Sequence, residues 1–243
     1  MNSTDAPAGI VALLPMKAHS ERVSGKNFRS FAGKPLFRWI LDALNGVDEV
    51  REIIINTDAR GILAEHGLVD GGKVRIRDRR EELCGDMVSM NRILEDDIQA
   101  VPAELYLMTH TTNPLLSAET IRRAIRALKS DREKDSLFSV NRMQTRFYRE
   151  DTSPVNHDPD NLLRTQDLEP WYEENSNLYL FSGGSFAATD ARIGRTPLLF
   201  PTPLLESIDI DNHETWCLAE MVALSRSMIC SSTADTLRET PRP

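Results

Sequence analysis

The residues best suited to chemistry in this 243-residue chain are a pair of aspartates near the C-terminus and a basic loop near the N-terminus. In Ser207-Ile208-Asp209-Ile210-Asp211, the alternation of a strand predicts Ile208 and Ile210 on one face and Asp209 with Asp211 on the other. Strand geometry then sets the two carboxylates roughly 7 Å apart on the same side. A cation relieves their repulsion. Hard oxygen ligands of this kind suit Mg²⁺, which keeps several waters and shares its remaining positions with phosphates. Asp211-Asn212 equally suits the start and cap of a following helix. The loop Pro15 to Asn27 gathers Lys17, Arg22 and Lys26 after an apolar run, with Ser20, Ser24 and Gly25 among the small residues that let backbone N–H groups approach an anion. It holds neither GxxxxGK[ST] nor GxGxxG. On charge alone, a solvated basic loop is the simpler reading.

Two further clusters are polar. Arg79 to Met90 mixes Arg79, Arg80, Glu81, Glu82, Asp86 and Ser89, and surface ion pairs account for it when it stands alone. Thr109-His110-Thr111-Thr112-Asn113-Pro114 offers hydroxyls and an amide to a ligand, or simply turn chemistry ahead of the proline. His110 has no matching His or Cys partner, so neither a triad nor a zinc site is indicated.

These residues need elements to hold them. Ile10 to Leu14 is a continuous apolar run, as in a strand buried on both faces. Pro35 opens a helix with Leu36, Ile40, Ala43, Leu44 and Val47 at helical spacing. The unit repeats: strand 52–57, helix 59–66, strand 74–76, helix about 88–100, strand 105–108, a helix capped by Ser117, and strand 136–140. This rhythm predicts βαβ crossovers and an α/β fold with an open, doubly wound, mostly parallel sheet. It breaks after Met143, where residues 144–175 carry Pro154, Pro159 and Pro170 with little periodicity, as in an arm off the sheet. Strands are expected again at 177–181, 198–200 and 207–211, then a helix capped by Asn212.

Composition limits the partners. Lys and Arg number 29 against 37 Asp and Glu, a net charge of −8, which argues against a nucleic-acid surface while leaving a local polyphosphate pocket open. Three widely spaced cysteines, Cys84, Cys217 and Cys230, make neither a metal pair nor a disulfide framework, so a reducing cytoplasm is expected. The first residues lack a basic n-region and no run is long enough to span a membrane, so neither a targeting segment nor a membrane partner is expected.

Taken in order, the pieces resemble the acylneuraminate cytidylyltransferase family, the CMP-sialic acid synthetases and their relatives. The resemblance spans about residues 9–226. It rests on Gly25-Lys26-Asn27, Ala32-Gly33-Lys34-Pro35-Leu36, Asn56-Thr57-Asp58, Arg79 to Ser89, Thr112-Asn113-Pro114-Leu115, Gln166-Asp167-Leu168, Glu174-Asn175 and Ser207 to Asp211. It implies a Rossmann-like nucleotidyltransferase with a dimerisation arm, and attack by the anomeric hydroxyl of an acid sugar on the α-phosphorus of CTP, releasing pyrophosphate. It further implies that Lys17, Ser20, Arg22, Lys26, Asn27, Arg79 and Ser89 bind the nucleotide. Asp209 and Asp211 would bind Mg²⁺ and, with Lys26, carry catalysis. His110, Asn175 and Tyr179 would contact the acceptor. The organisation implied is a nucleotide-binding core at 9–143, a dimerisation and acceptor arm at 144–175, a return to the core at 176–230, and a tail at 231–243, in a cytoplasmic homodimer.

The chain also departs from the family pattern. Lys17 stands for a usual Arg, His19 for a Gly and Glu21 for a Lys; Lys is a point charge where Arg offers a bidentate fork. His110-Thr111-Thr112-Asn113-Pro114 replaces Gln-Pro-Thr-Ser-Pro, and Thr165-Gln166 replaces Arg-Gln. Glu173-Glu174-Asn175-Ser176-Asn177 is more acidic than usual and lacks a Gly after Asn175. Two extra acids in the acceptor half lead to the expectation of an amino-bearing acceptor. Competing readings are a transferase using another nucleotide or a non-sugar acceptor such as a phosphonate, a glycosyltransferase using its Asp-x-Asp, and a nucleotide-binding protein without turnover.

Overall fold

The central strand β1 (Ile10–Leu13) is apolar at every position because it is covered on both faces, and all four of its residues are buried. The computed structural model describes residues 9–19 and 23–236, with side chains as far as Arg226. After β1 come a small hairpin, β2 (Ser30–Phe31) and β3 (Lys34–Pro35), then α1 (Leu36–Asn45), β4 (Val50–Thr57), α2 (Arg60–Glu65), β5 (Val74–Asp78), α3 (Met90–Ala100) and β6 (Leu105–Thr109). The chain continues through α4 (Ala118–Ser130), β7 (Ser136–Met143), β8 (Trp171–Phe181), α5 (Gly183–Thr189), β9 (Pro197–Pro201) and α6 (His213–Thr236). The β2–β3 hairpin turns at Ala32 (φ 43°) and Gly33 (φ 91°), the left-handed pair that a two-residue hairpin turn requires.

Seven strands form one sheet in the order β5-β4-β1-β6-β8-β7-β9. β1 pairs in parallel with β4 and β6, β4 with β5, and β7 with β9, while β8 runs antiparallel to both β6 and β7. The fold is the mostly parallel, doubly wound α/β sheet expected from the alternation of strands and helices. Ile10, Ala12 and Leu14 pack with α1 and α4 on one face, and Val11 and Leu13 with Leu94 and Phe186 from α3 and α5 on the other. Each fully buried Leu or Ile of this kind contributes about 1.5–3 kcal/mol relative to exposure. Ser117 caps α4 by accepting from Thr120 N–H at 3.1 Å, and Asn212 caps α6 by accepting from Thr215 N–H at 2.9 Å.

Three features differ from the sequence expectations. β8 begins at Trp171, well before the expected Asn177, because its first residues pair with the far end of β7, from Val140–Glu174 to Met143–Trp171. A bulge at Asn175–Asn177 then realigns β8, with Ser176 in the left-handed region at φ 55°. Ser207–Asp211 is not a strand. Pro201 and Pro203 end the ladder of β9, and the segment packs Ile208 and Ile210 against Phe31, Leu36 and Trp216 under α6. Ile210 is buried and Ile208, Asp209 and Asp211 are half-buried, the segment being held by Ile210 N–H donating to Thr112 O at 2.9 Å. Among the described residues, no helix is long and apolar enough to cross a membrane.

Candidate active site

A cleft of about 370 Å³ opens at the carboxyl ends of β1, β5 and β6, where open α/β sheets bind ligands. Lys17, Lys26, Asn27, Arg79, His110 and Thr112 border it. Lys26 is 8% exposed, and its ammonium donates to Ile210 O at 2.7 Å, which fixes the basic loop against the segment carrying both aspartates. Asn27 sews the same loop to the end of β6: its amide donates to Lys17 O at 2.8 Å and accepts from the Thr111 hydroxyl at 2.6 Å. Lys17 forms an ion pair across the cleft with Asp86, in the loop before α3. Ser20 and Arg22 lie outside the described residues.

Arg79 is held from beneath. Its Nε donates to Asn56 Oδ1 at 2.9 Å, and its Nη2 to Asn56 O at 2.8 Å and Met16 O at 3.2 Å. The Asn56 amide in turn donates to Asp97 Oδ1 at 2.8 Å, and Asp97 forms an ion pair with Arg77, which also reaches Asp96 at 2.9 Å. Burial pushes Asp97 up to about 6, against the pull of Asn56 and Arg77. This relay runs from α3 through β5 and β4 to the cleft floor. Asn56 appeared in the sequence only as part of a matched triplet, and Asp97 carried no signal at all.

Two smaller pockets share Glu174, and the second of them borders the cleft. One, of about 210 Å³, is lined by Asn141, Glu173, Glu174, Asn175, Ser207 and Asp209. The Asn175 amide sits at its floor, donating to Asn141 Oδ1 at 2.9 Å and Thr202 Oγ1 at 2.7 Å. The other, about 310 Å³, is lined by Ser89, Met90, Asn91, Glu174, Arg192 and Ile193, and Met90 also borders the main cleft. Ser89 is therefore beside the cleft rather than in it, and it also caps α3 by accepting from Asn91 N–H at 3.3 Å. Tyr179 is buried under Arg192, whose guanidinium carbon lies 4.0 Å from the ring centre, and its hydroxyl donates to Glu174. Burial and this hydrogen bond to Glu174 push Tyr179 up to about 12, despite the Arg192 charge. Burial, with the charges of Arg192 and Lys26, pushes His110 down to about 3, so it is neutral at pH 7. Nothing in the sequence marked Arg192.

The donor set limits the metals. Among the described residues, no three His, Cys, Asp or Glu side chains come together as a metal cage. Two carboxylates flanking Ile210, beside cations suited to phosphate, fit an ion that completes its shell with water and phosphate oxygens, as Mg²⁺ does. A closed zinc site does not fit.

The sequence matches the cytidylyltransferase family over residues 11–216. It is 31% identical over 224 residues to the CMP-N,N'-diacetyllegionaminic acid synthase of Legionella pneumophila, covering 87% of this chain and 94% of that protein. The pseudaminic acid cytidylyltransferase of Campylobacter jejuni is 24% identical over 215 residues, covering 83% of this chain and 90% of that one. Among solved structures, the fold is shared with a CMP:2-keto-3-deoxy-manno-octonic acid synthetase complexed with CTP, at TM-score 0.60 and 14% identity over 90% of this chain and 99% of that one. It is shared as well with the 4-diphosphocytidyl-2C-methyl-D-erythritol synthase of Anaerococcus prevotii, at TM-score 0.63 and 15% identity over 88% of this chain and 97% of that one.

Proposed function

Because this chain belongs to the cytidylyltransferase family, we propose that it transfers CMP from CTP to the anomeric hydroxyl of an acid sugar, a nonulosonic acid or a relative of one. The carrying observation is the bond from Lys26 Nζ to Ile210 O, which holds a cation for phosphate between the two aspartates and the basic loop. The acceptor oxygen bonds to the α-phosphorus as its hydroxyl proton passes to water, the bond from that phosphorus to the bridging oxygen of the β-phosphate breaks, and pyrophosphate leaves with that electron pair. Lys17 and Lys26, with Ser20 and Arg22, hold the triphosphate; Asn27, Arg79 and Ser89 bind the rest of the nucleotide. Asp209 and Asp211 hold Mg²⁺, which supplies neutralisation of phosphate charge when bound. Lys26, fixed by Ile210, keeps its charge where negative charge grows in the displacement. His110 and Asn175 face the acceptor, and Tyr179, buried, supports that side from beneath Arg192; His110, neutral at pH 7, can both donate and accept a hydrogen bond.

The segment between β7 and β8 exposes Tyr148, Leu162 and Leu163, and the start of β8 exposes Trp171 and Tyr172, apolar side chains that a second copy of the chain would cover. The protein therefore acts as a homodimer, in the cytoplasm where CTP is made. A pyrophosphate-release screen of CTP, UTP, ATP and GTP against acid sugars tests the reading. Release is expected with CTP, Mg²⁺ and an acid sugar together; release with another nucleotide, or with CTP and only non-sugar acceptors, overturns it.

A further inference from the structure

Arg192 differs from the other cations around the cleft. Lys17 is paired with Asp86, Lys26 is bonded to Ile210 O, and Arg79 commits Nε and Nη2 to Asn56 and Met16. The Arg192 guanidinium, with the side chain 22% exposed, forms no hydrogen bond with a described residue; its nearest acid is Glu174 Oε1 at 3.6 Å. It is nonetheless held in place. Below it is the Tyr179 ring, 4.0 Å away. The loop that carries it is pinned to the start of β7, where Gly194 N–H donates to Ser136 Oγ at 2.8 Å and Arg195 N–H to Asp135 Oδ2 at 2.7 Å. A Cβ at Gly194 would come within 2.3 Å of Asp135 Oδ1, so only glycine permits that approach. A fixed guanidinium with unused N–H donors, facing a pocket of about 310 Å³ that adjoins the cleft, is a receptor for a planar anion.

The neighbours favour a carboxylate over an amine. Glu174, one of the two extra acids of the acceptor half, is already engaged by the Tyr179 hydroxyl and by Arg192, and Glu173 accepts from the Asn141 amide at 2.9 Å. Arg192 thus balances the charge of Glu174 at 3.6 Å, while its N–H groups make no hydrogen bond with a described residue and stay available to a planar acceptor.

We propose that Arg192 binds the carboxylate of the acceptor and thereby selects acid sugars over neutral ones. The assignment rests on the cytidylyl transfer proposed above. It places the sugar between the Tyr179–Arg192 stack and the phosphates, with Asn91 and Ile193 on the pocket wall. The charge of Arg192 reaches the cleft itself, since it acts on His110 together with Lys26.

The test uses the full chain with CTP, Mg²⁺ and N,N'-diacetyllegionaminic or N-acetylneuraminic acid, whichever is turned over, beside the C1 carboxamide of the same sugar. In Arg192→Gln, the acceptor KM is expected to rise about 30-fold or more while the KM for CTP stays within about twofold. Arg192→Lys, which keeps the charge and loses the fork, should fall between the two. The wild type should prefer acid to carboxamide, and Arg192→Gln should lose that preference; CTP binding by calorimetry reports that the variants are folded. An unchanged acceptor KM, or a preference for the acid that survives in Arg192→Gln, overturns the assignment while cytidylyl transfer stands. A wild type that releases no pyrophosphate with any acid sugar overturns both.

Discussion

Arg79, at the end of the cleft where we place the nucleotide, is bonded to Asn56 and to the Met16 carbonyl, and Asn56 is bonded in turn to the buried Asp97. Arg192, in the side pocket where we place the acceptor, rests on a tyrosine ring with no hydrogen bond to a described residue. The first arginine is positioned by acceptors beneath it, so its orientation is set before any ligand arrives. The second is positioned by ring contact and by its loop, so its donors remain for the ligand. The contrast suits a reaction with one constant substrate and one that varies among relatives: specificity is easiest to change where the binding group is held without hydrogen bonds that would have to be rebuilt.

The contrast can be broken first where the two ends meet. Asp211→Ala is expected to lower turnover about 10³-fold, because it removes a carboxylate of the phosphate-neutralising site. Circular dichroism should show retained folding, and a rate equal to wild type would remove Asp211 from the metal role. A smaller break addresses the nucleotide end alone. Asn56→Ala should raise the KM for CTP about tenfold and leave the acceptor KM nearly unchanged, since a hydrogen bond to a charged group is lost beneath Arg79. Combined with Arg79→Lys, the two losses should fall short of additive, as for residues acting through one contact; full additivity would separate Asn56 from Arg79.

The smallest effect is on stability against pH, and it has opposite signs at the two ends. Asp97 is raised from 3.8 to about 6, so the folded state holds its proton more tightly; that contribution is complete below pH 3.8 and is lost as pH rises through about 6. His110 is lowered from 6.5 to about 3, so its contribution is complete above pH 6.5 and is lost as pH falls towards 3. Urea unfolding at pH 7 and pH 4.5 should therefore show His110→Gln losing less stability on acidification than wild type. Asp97→Asn should lose more. Parallel curves for all three proteins would place both groups in ordinary solvated surroundings.

The framework was legible in local pattern. The apolar run at Ile10, the cap at Ser117, the helical spacing from Leu36 to Leu44 and the alternation of strand and helix each depend on neighbours a few residues away, which a sequence displays directly. The alternation of Ile208, Asp209, Ile210 and Asp211 holds only in part, since the two isoleucines join the cluster beneath α6 while no strand forms there and both aspartates are half-buried. What a linear reading could not supply is pairing across distance. Asp97 meets Asn56 only because α3 packs against β4, and Glu174 meets Arg192 only because the chain turns through α5 and returns. From composition, the segment from Glu173 to Asn177 looked acidic. In the folded chain, Glu174 faces Arg192 at 3.6 Å, so an acid that looks open in the sequence is balanced by a cation whose N–H groups make no hydrogen bond with a described residue. Residue types and their local periodicity thus determined the sheet, the basic loop and the aspartates. The tertiary structure alone decided which charges are already paired, because Coulomb and hydrogen-bond energies depend on distances in space and not along the chain.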